Sequence, residues 1–451
     1  MERLILDYER LSEQADRGEY AALRGELMEM NEVDIAEFLE MLDTPKRLIV
    51  FRLLPKDVSA EAFSYLSTEI EQEIVMAISN KELFALVDHM YVDDTVDFLE
   101  EVPANVVRRV MAVADQETRE TINRFLRYPE NSAGSIMTCE MMELHDRCTV
   151  AEALAQIRKS GEELETIYTC YCISDTRRLV GTVGLSDLIF GDPEQKLSEI
   201  MDSDRALVYV NTNADQEEVA ELAKRYDLLS VPVTDNEGRL VGIVTIDDIV
   251  DIIEDENTED LERMALMQPS EDTYLKTGVF TMVKNRIVWL SILMLSATFT
   301  GLIIENFESM LAQIAGLTAC IPMLMDTGGN AGNQASTLAI RGLALGEIRT
   351  KDFLRVIWKE LRVSVLCGAI LATLNFGRMY LLGNRNPLMI GVVCMAMFCA
   401  VVFAKLVGGA LPLIVKKIHL DPALMAGPMI TTVVDAVTLA MYFLLARTFL
   451  F

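Results

Sequence analysis

The chain has 451 residues and a net charge of −29, which is spread very unevenly along it. Residues 1–275 hold 25 Lys and Arg against 61 Asp and Glu, whereas residues 276–451 hold 15 against 8 and are rich in apolar side chains. Such acidity excludes a nucleic-acid partner, which needs basic surfaces, and it fits cations as partners. A plainer explanation, that acidic surfaces keep proteins soluble, stays open at this point.

Residues 1–132 are predicted to form an acidic domain of repeated helices. The segment MNEVDIAEFLEML (30–42) returns as MYVDDTVDFLEEV (90–102). The stretch between them is rich in Leu, Ile and Val at helical spacing, and prolines interrupt it. Repeats of this kind stack into a superhelix, so we expect an all-α superhelical N-terminal domain.

Residues 133–250 contain a second internal repeat. The segment VGTVGLSDLI (180–189) returns as VGIVTIDDIV (241–250). Hydrophobic patterning predicts that each copy runs strand, helix, strand, strand, helix. This order resembles a tandem pair of CBS domains, an α/β module that often senses nucleotides or ions.

Nucleotide-binding CBS modules carry a Gly, a Ser or Thr three residues later, and an Asp three residues further on. The second copy matches this signature with Gly242, Thr245 and Asp248, whereas the first copy has Asp187 but Gly184 at the hydroxyl position. ATP is therefore left open as a ligand, with Asp187, Thr245 and Asp248 as its candidate residues. The alternative is a turn with a purely structural role.

The stretch 247–275 is predicted to be one acidic helix that joins the CBS pair to the membrane half, with the connecting segment itself at 251–278. A solvated, charged linker is the plain alternative. However, many carboxylates beside an already negative domain repel one another, so a compact arrangement needs a counter-charge.

Residues 279–451 are predicted to form a five-helix transmembrane domain. Apolar segments at about 287–304, 309–340, 361–380, 387–415 and 422–447 are each long enough to cross a bilayer. We expect the second to be broken at DTGGNAGNQ (326–334) and the fifth to bend at Pro428. Lys405 lies inside the fourth span, where snorkelling, pairing with an acid and facing a cavity are all open interpretations.

Lys and Arg are concentrated at those ends of the spans that face the same side as the acidic half. The positive-inside rule then predicts a multi-pass protein of the cell (inner or plasma) membrane, with the N-terminal half in the cytoplasm and the C-terminus outside. The sequence contains no phosphate loop of the GxxxxGK[ST] type, and we expect no enzyme activity.

The complete layout resembles the MgtE family of magnesium channels and transporters. The resemblance rests on PMLMDTGGNAGNQ (322–334), on DPALMAGP (421–428) and on Asp435, seven residues after Pro428. It implies a Mg²⁺ channel or transporter that is closed when intracellular Mg²⁺ binds to acidic cytosolic domains. A homodimer is also expected, because one chain offers too little to enclose a hydrated ion.

Asp435 is the only charged side chain in residues 422–446, and a carboxylate at membrane depth costs about 3 kcal/mol. Mg²⁺ prefers six oxygen ligands and keeps several of its waters. A hydrated ion between two Asp435 carboxylates on a twofold axis would offset this cost, and residue 431, four positions earlier, would share the same helix face. The predicted pore ligands are Asp435, Gly427, Thr431, Asn330 and Asn333.

The resemblance also assigns acids that sense Mg²⁺. They are Glu61, Asp93 and Asp97 in the N-terminal domain, Asp215, Glu217 and Asp227 in the second CBS copy, Asp248, Asp251, Glu256, Glu259 and Asp260 in the connecting helix, and Asp421 in the last inner loop. Without a cation these acids repel one another and the domains spread, whereas a bound cation favours the closed state.

Several alternatives stay open. Asp435 is structural if it pairs with Lys405 or with a backbone donor, and the glycine-rich motif of the second span is structural if it only packs helices closely. The protein could also be a carrier of another divalent cation, Co²⁺, Mn²⁺ or Ni²⁺, or an anion channel. A further alternative is an ion-sensing receptor that transports nothing. Two departures from the family pattern, Ser186 before Asp187 and Leu228 after Asp227, weaken the case for ATP.

Overall fold

The computed structural model describes residues 2–161, 164–202, 207–270, 274, 277–381, 386–425 and 427–450. The chain divides into two compact units, Met1–Glu254 and Asp255–Phe451. The first unit combines a helical domain with two small sheets, and in the described residues of the second unit all regular secondary structure is helical.

Ten short helices form the N-terminal domain. They are α1 (Glu2–Arg17), α2 (Tyr20–Leu27), α3 (Glu32–Met41), α4 (Thr44–Phe51), α5 (Lys56–Ser64), α6 (Thr68–Ala77), α7 (Asn80–Val87), α8 (Val92–Glu101), α9 (Ala104–Val113) and α10 (Gln116–Phe125). Side chains of Asn31, Ser79 and Asp115 accept backbone N–H groups at the starts of α3, α7 and α10, which explains why these helices begin there. Since α3 packs on α5, α5 on α7 and α7 on α9, the predicted all-α superhelix is confirmed.

Two copies of one α/β module follow. The elements are β1 (Met141–His145), α11 (Val150–Ser160), β2 (Thr166–Ile173), β3 (Leu179–Gly184), α12 (Leu185–Phe190), α13 (Leu197–Ile200), β4 (Val210–Asn211), α14 (Gln216–Tyr226), β5 (Ser230–Thr234), β6 (Leu240–Thr245) and α15 (Ile246–Met264). In each sheet the first strand is parallel to the second, and the second is antiparallel to the third. The predicted tandem of CBS modules is therefore confirmed.

The two copies are held together by an apolar cluster and a buried hydrogen bond. Tyr171 of the first copy is fully buried with Leu240 and Ile243 of the second. The hydroxyl of Tyr171 lies 2.6 Å from the Ser230 hydroxyl, which satisfies both buried polar groups.

The connecting helix is shorter than predicted. The sequence favoured one helix over 247–275, but α15 ends at Met264, and Leu266 adopts a left-handed φ of 54°. Pro269 lies shortly beyond and lacks the backbone N–H that a continuing helix needs. Residues 271–273 and 275 of the predicted helix lie outside the described residues.

The second unit contains five long helices. They are α16 (Val279–Asn306), α19 (Ile321–Ala344), α20 (Phe353–Leu381), α21 (Pro387–Lys417) and α22 (Pro428–Leu450), and the short helices α17 (Glu308–Leu311) and α18 (Ala315–Thr318) precede α19. The predicted five-helix arrangement is thus confirmed. Among the described helices, α16, α21 and α22 are long and apolar enough to cross a membrane.

The expected break in the second span is wrong, because α19 runs through DTGGNAGNQ (326–334) without interruption. Its glycines serve close packing. A Cβ at Gly328 would lie 3.0 Å from the Thr438 hydroxyl, and one at Gly332 would lie 2.7 Å from Ile430 Cγ2. These glycines therefore let α19 approach α22 more closely than larger residues would allow.

The expected bend at Pro428 is also wrong. Pro428 is the first residue of α22, a position where a proline sacrifices no helical hydrogen bond. A 3-10 turn, Pro422–Met425, precedes it, and Gly427 adopts a left-handed φ of 48°. The predicted fifth span is thus a turn followed by a helix rather than one bent helix.

Candidate cation sites

Asp435 and Thr431 both lie beside α19 at Gly329. A Cβ at Gly329 would be 3.0 Å from Thr431 Cγ2 and 3.8 Å from Asp435 Oδ1. The two side chains are four residues apart on α22, so they share one helix face, as the sequence indicates. A glycine at 329 leaves room for this face against α19.

Asp326 on α19 forms a second acidic group near Asp435. Asn330 donates a hydrogen bond to Asp326 Oδ1 at 3.1 Å, and the Asp326 carboxylate is close enough to repel that of Asp435. The Asn333 Oδ1 atom is buried and has no hydrogen-bond partner within the described parts of the chain. Asp326 was not among the predicted pore ligands, although it is the only acid in the apolar segment 309–340.

The backbone at the start of α22 is already hydrogen-bonded. The Gly427 carbonyl accepts the Thr431 N–H at 3.1 Å, and the Thr431 hydroxyl donates to the Pro428 carbonyl at 2.8 Å. These carbonyls are not freed by a bend, because the helix begins here and its first carbonyls accept hydrogen bonds. Each oxygen keeps a second lone pair for a cation or a water.

Lys405 is buried within the second unit. Its ammonium group lies 3.4 Å from Gln334 Oε1, so it is a donor to α19. Glu360 on α20 is close enough to interact with it electrostatically. Across the described residues no ion pair joins Lys405 to Asp435, so a structural pairing of Asp435 with Lys405 gains no support.

A group of acids, here called the acidic cluster, lies within the first unit between α8, the first CBS copy and the start of α15. Its members influence one another electrostatically and are Glu61, Asp93, Asp94, Asp97, Glu140, Glu165, Asp247 and Asp248. Four of them, Glu61, Asp93, Asp97 and Asp248, were predicted from the sequence. The other four were not, although Asp94 and Asp247 adjoin predicted residues in the repeated motifs.

Burial and mutual repulsion raise the pKa values in the acidic cluster. Burial first, and then neighbouring acids, raise the pKa of Asp94 to about 6, of Asp97 to about 7 and of Glu165 to about 8. The pKa of Asp93 is raised well above its usual range by the same causes, and that of Asp248 to about 6 despite its hydrogen bond from Thr245. A bound cation would relieve this repulsion.

Carboxylate oxygens are the type of ligand that a hard divalent cation binds, but those of the acidic cluster are not arranged around one point. Asp93 Oδ1 and Glu165 Oε2 are buried without a hydrogen-bond partner in the described residues. Over the same residues no three His, Cys, Asp or Glu side chains are close enough to hold one metal ion. Carboxylates with such unpaired oxygens fit Mg²⁺, which binds few protein oxygens directly and keeps several of its water ligands.

Three predicted sensor acids, Asp215, Glu217 and Asp227, lie at the ends of α14. Asp215 caps the start of α14 by accepting the Glu217 N–H at 2.9 Å. Asp227 ends the helix with a left-handed φ of 52°. Asp215 thus has a local structural role in addition to the predicted one.

The remaining predicted acids lie on α15 and before α22. Asp251 has a pKa raised by burial and by Asp247. Burial and the neighbouring Asp421 raise the pKa of Asp260, and Glu256 adds to this repulsion. Glu259 is ion-paired to Arg263, which also contacts Asp421. The structure therefore brings Glu259, Asp260 and Asp421 together within the second unit.

The nucleotide signature is engaged in local contacts. The Thr245 hydroxyl donates to Asp248 Oδ2 at 2.6 Å where α15 begins. In the first copy, a Cβ at Gly184 would lie 3.1 Å from Asp187 Oδ2. The hydrogen bond between Thr245 and Asp248 is typical of a turn that starts a helix, and Gly184 lies close to Asp187 at the corresponding place in the first copy.

Comparison with known families identifies relatives of all three parts. A family described as a divalent cation transporter matches residues 321–445, the MgtE intracellular N domain matches residues 30–131, and a CBS domain matches residues 197–255. A magnesium transporter MgtE of Thermus thermophilus is 37% identical over 444 residues, which cover 98% of each chain. A magnesium transporter MgtE of Bacillus subtilis is 30% identical over 92% of this chain and 94% of its own length.

Solved structures resemble the first part of the chain. The cytosolic domain of the Mg²⁺ channel MgtE in complex with ATP is 37% identical, with a TM-score of 0.51 over 54% of this chain and 99% of that chain. The soluble part of a magnesium transporter is 27% identical, with a TM-score of 0.53 over 56% of this chain and 99% of that chain.

Proposed function

The chain belongs to the MgtE family of divalent cation transporters, and on that premise we propose that it moves Mg²⁺ across the membrane through a pore lined by Asp435. The observation that carries this proposal is the position of Asp435 on the face of α22 that meets the glycine-rich motif of α19. A carboxylate in an otherwise apolar helix is most easily tolerated where a cation and its waters balance it.

The proposed pore holds a hydrated ion with few protein ligands. Asp435 supplies the charge, and Thr431, Asn330 and Asn333 supply neutral oxygens. Asp326 is added here, because it repels Asp435 and thereby creates a site that a divalent cation stabilises. Two copies of the chain about a twofold axis would present two such sets, and we propose a homodimer for this reason.

We propose the membrane orientation that the basic residues favour, with both acidic domains in the cytoplasm and the C-terminus outside. The match of residues 30–131 to a family described as intracellular supports the first part. Cysteine substitutions at Glu120 and Thr448, labelled with a membrane-impermeant reagent in cells, would test it. Labelling of Glu120→Cys in intact cells would contradict this orientation.

A flux assay tests the pore. We expect Asp435→Asn in liposomes to lose at least about 90% of Mg²⁺ uptake, since a change of 1.4 kcal/mol already alters a rate tenfold. Asp352→Asn is the matched control, because Asp352 lies before α20 and pairs with Arg355. Uptake by folded Asp435→Asn equal to that of Asp352→Asn would refute the pore assignment. Competing Co²⁺, Mn²⁺ and Ni²⁺ in the same assay separates Mg²⁺ from the alternative substrates.

We further propose that intracellular Mg²⁺ closes this pore by binding the acids of the acidic cluster and of α15. A ligand that binds only the closed state stabilises it by about 1.4 kcal/mol per site at tenfold excess over its dissociation constant. Protease cleavage within 247–275 of the full chain should therefore fall as Mg²⁺ rises, whereas NaCl of equal ionic strength should not protect. Unchanged cleavage at all Mg²⁺ concentrations would end the sensing proposal.

Nucleotide binding is a second candidate function of the CBS pair. It is favoured by one observation, the relative whose cytosolic domain was solved with ATP. The signature residues Asp187, Thr245 and Asp248 are the proposed contacts. Calorimetric titration of ATP into the full chain and into Asp187→Asn tests it, and the absence of binding heat in both would remove ATP from the proposal.

A further inference from the structure

Arg263 joins the end of the connecting helix to the loop before α22. Its Nη1 atom lies 2.7 Å from Asp421 Oδ2, and its Nη2 atom pairs with Glu259 one turn earlier on α15. Asp421 Oδ1 accepts the Ala423 N–H at 2.8 Å, so each oxygen of this carboxylate already accepts one hydrogen bond. One guanidinium group therefore bridges two carboxylates that belong to different elements of the second unit.

The backbone shows a second contact at the same place. The Met264 carbonyl, next to Arg263, lies 3.1 Å from the position that a Cβ on Gly427 would take. Gly427 is the left-handed residue immediately before the first turn of α22. The end of α15 thus meets the turn that leads into the helix of Asp435.

The ion pair uses the oxygens that a divalent cation would need. Mg²⁺ coordinates carboxylate oxygens directly at about 2.1 Å or through its waters, and a guanidinium group on the same oxygens blocks that approach. Arg is always charged, and its planar group is suited to bridging two carboxylates. Lys416 is a further cation close enough to influence Asp260, but it forms no ion pair among the described residues.

We propose that Arg263 is a built-in competitor of Mg²⁺ for Asp421 and Glu259, and that it sets the Mg²⁺ concentration at which this part of the protein binds the ion. This inference rests on the proposed sensing function. While Arg263 occupies these oxygens, it compensates the charges of Glu259 and Asp421. Mg²⁺ has to displace the guanidinium group before it binds these acids, so a higher concentration is needed than the bare carboxylates would require.

The experiment measures the Mg²⁺ concentration that gives half-maximal protection of residues 247–275 from protease, with the purified full chain at constant ionic strength. For Arg263→Gln we expect this concentration to fall about two- to fivefold, because a half-exposed ion pair competes only moderately. Arg263→Lys should give a smaller fall, since an ammonium group keeps the charge but does not bridge two carboxylates. Lys284→Gln, which makes the same charge change at the start of α16, should leave the wild-type value unchanged.

Calorimetric titration with MgCl₂ provides a second readout that does not depend on cleavage. An unchanged or higher half-maximal concentration for Arg263→Gln, with normal protection of the wild type, would show that Arg263 is only a structural clasp. If Arg263→Gln fails to fold, Arg263→Lys distinguishes the two roles. Competition with Mg²⁺ predicts a lower half-protecting Mg²⁺ concentration for Arg263→Lys than for the wild type, whereas a purely structural role predicts no decrease. A wild type that Mg²⁺ does not protect would instead overturn the sensing function on which the inference rests.

Discussion

Lys405 and Glu360 are opposite charges on neighbouring helices of the second unit, and of the two only Lys405 is buried. Loss of one partner from a fully buried ion pair costs about 3–5 kcal/mol, because the other charge is left without compensation, and the partial exposure of Glu360 makes the expected cost smaller here. We expect Lys405→Met to lower the thermal unfolding temperature in detergent by several degrees. The double variant Lys405→Met with Glu360→Gln should recover much of that loss.

Lys284→Met serves as the control for this prediction, since Lys284 is exposed near the start of α16. It should unfold at the wild-type temperature. A double variant no more stable than Lys405→Met would show that Glu360 does not balance the charge of Lys405. The hydrogen bond to Gln334 would then be the main interaction of Lys405.

Single functional residues can be predicted from the sequence when they differ clearly from their neighbours in the chain. Asp435 stands out because every neighbour in its segment is uncharged, and the structure places it beside the glycine-rich motif of α19. Glu140 and Glu165 carry no such signal, because acids are common in residues 1–275. Their position beside Asp94 and Asp247 depends on long-range folding, which a single sequence does not display.

At the scale of elements, small residues decide how closely α19 and α21 approach. A Cβ at Gly408 of α21 would overlap the Gly332 carbonyl of α19, a backbone atom that has no freedom to move aside. We therefore expect Gly408→Ala to destabilise the unit by about 1–3 kcal/mol, the usual range for overpacking. It should also reduce Mg²⁺ uptake, since α19 carries proposed pore ligands.

Gly391 supplies the matched control on the same helix. Nothing lies within 4 Å of a Cβ at this position, so Gly391→Ala should be neutral or stabilising by up to about 1 kcal/mol through helix propensity. Thermal unfolding and uptake of the two variants are compared side by side. Equal behaviour of both variants would show that the close approach of α19 and α21 does not matter.

The types of the secondary-structure elements were predictable from the sequence, but the predicted break in α19 and the predicted bend at Pro428 were wrong. The repeats gave the helical domain and the CBS order, because hydrophobic periodicity is a local property. The glycines and asparagines of 326–334 indicated a break, but α19 continues because helix packing compensates for poor helix propensity. Pro428 indicated a bend, but it starts α22 after the left-handed Gly427.

At the scale of the whole molecule, the many acids make Mg²⁺ binding depend on pH, because protons and Mg²⁺ compete for the same carboxylates. The acids of residues 1–275 exceed the bases by 36, and the acidic cluster concentrates several of them in one buried region. A carboxylic acid whose pKa is raised in the folded state binds protons more tightly there than in the unfolded chain. Such groups therefore stabilise the folded arrangement as the pH falls through the raised pKa, and this contribution is lost as the pH rises.

Mg²⁺ binds the ionised carboxylates, so it has to displace the protons that these groups hold. With pKa values of about 6 for Asp94 and about 7 for Asp97, both are largely protonated below pH 6 and largely ionised above pH 8. We expect the half-protecting Mg²⁺ concentration to fall as the pH rises from 6 to 8, by up to about tenfold per pH unit for each proton released. The double variant Asp94→Asn with Asp97→Asn should show a flatter dependence, whereas Glu29→Gln, an exposed acid outside the cluster, should keep the wild-type slope. If the half-protecting Mg²⁺ concentration of the wild type does not change with pH, Mg²⁺ binds outside the acidic cluster. Binding to the cluster would have to displace protons and would therefore depend on pH.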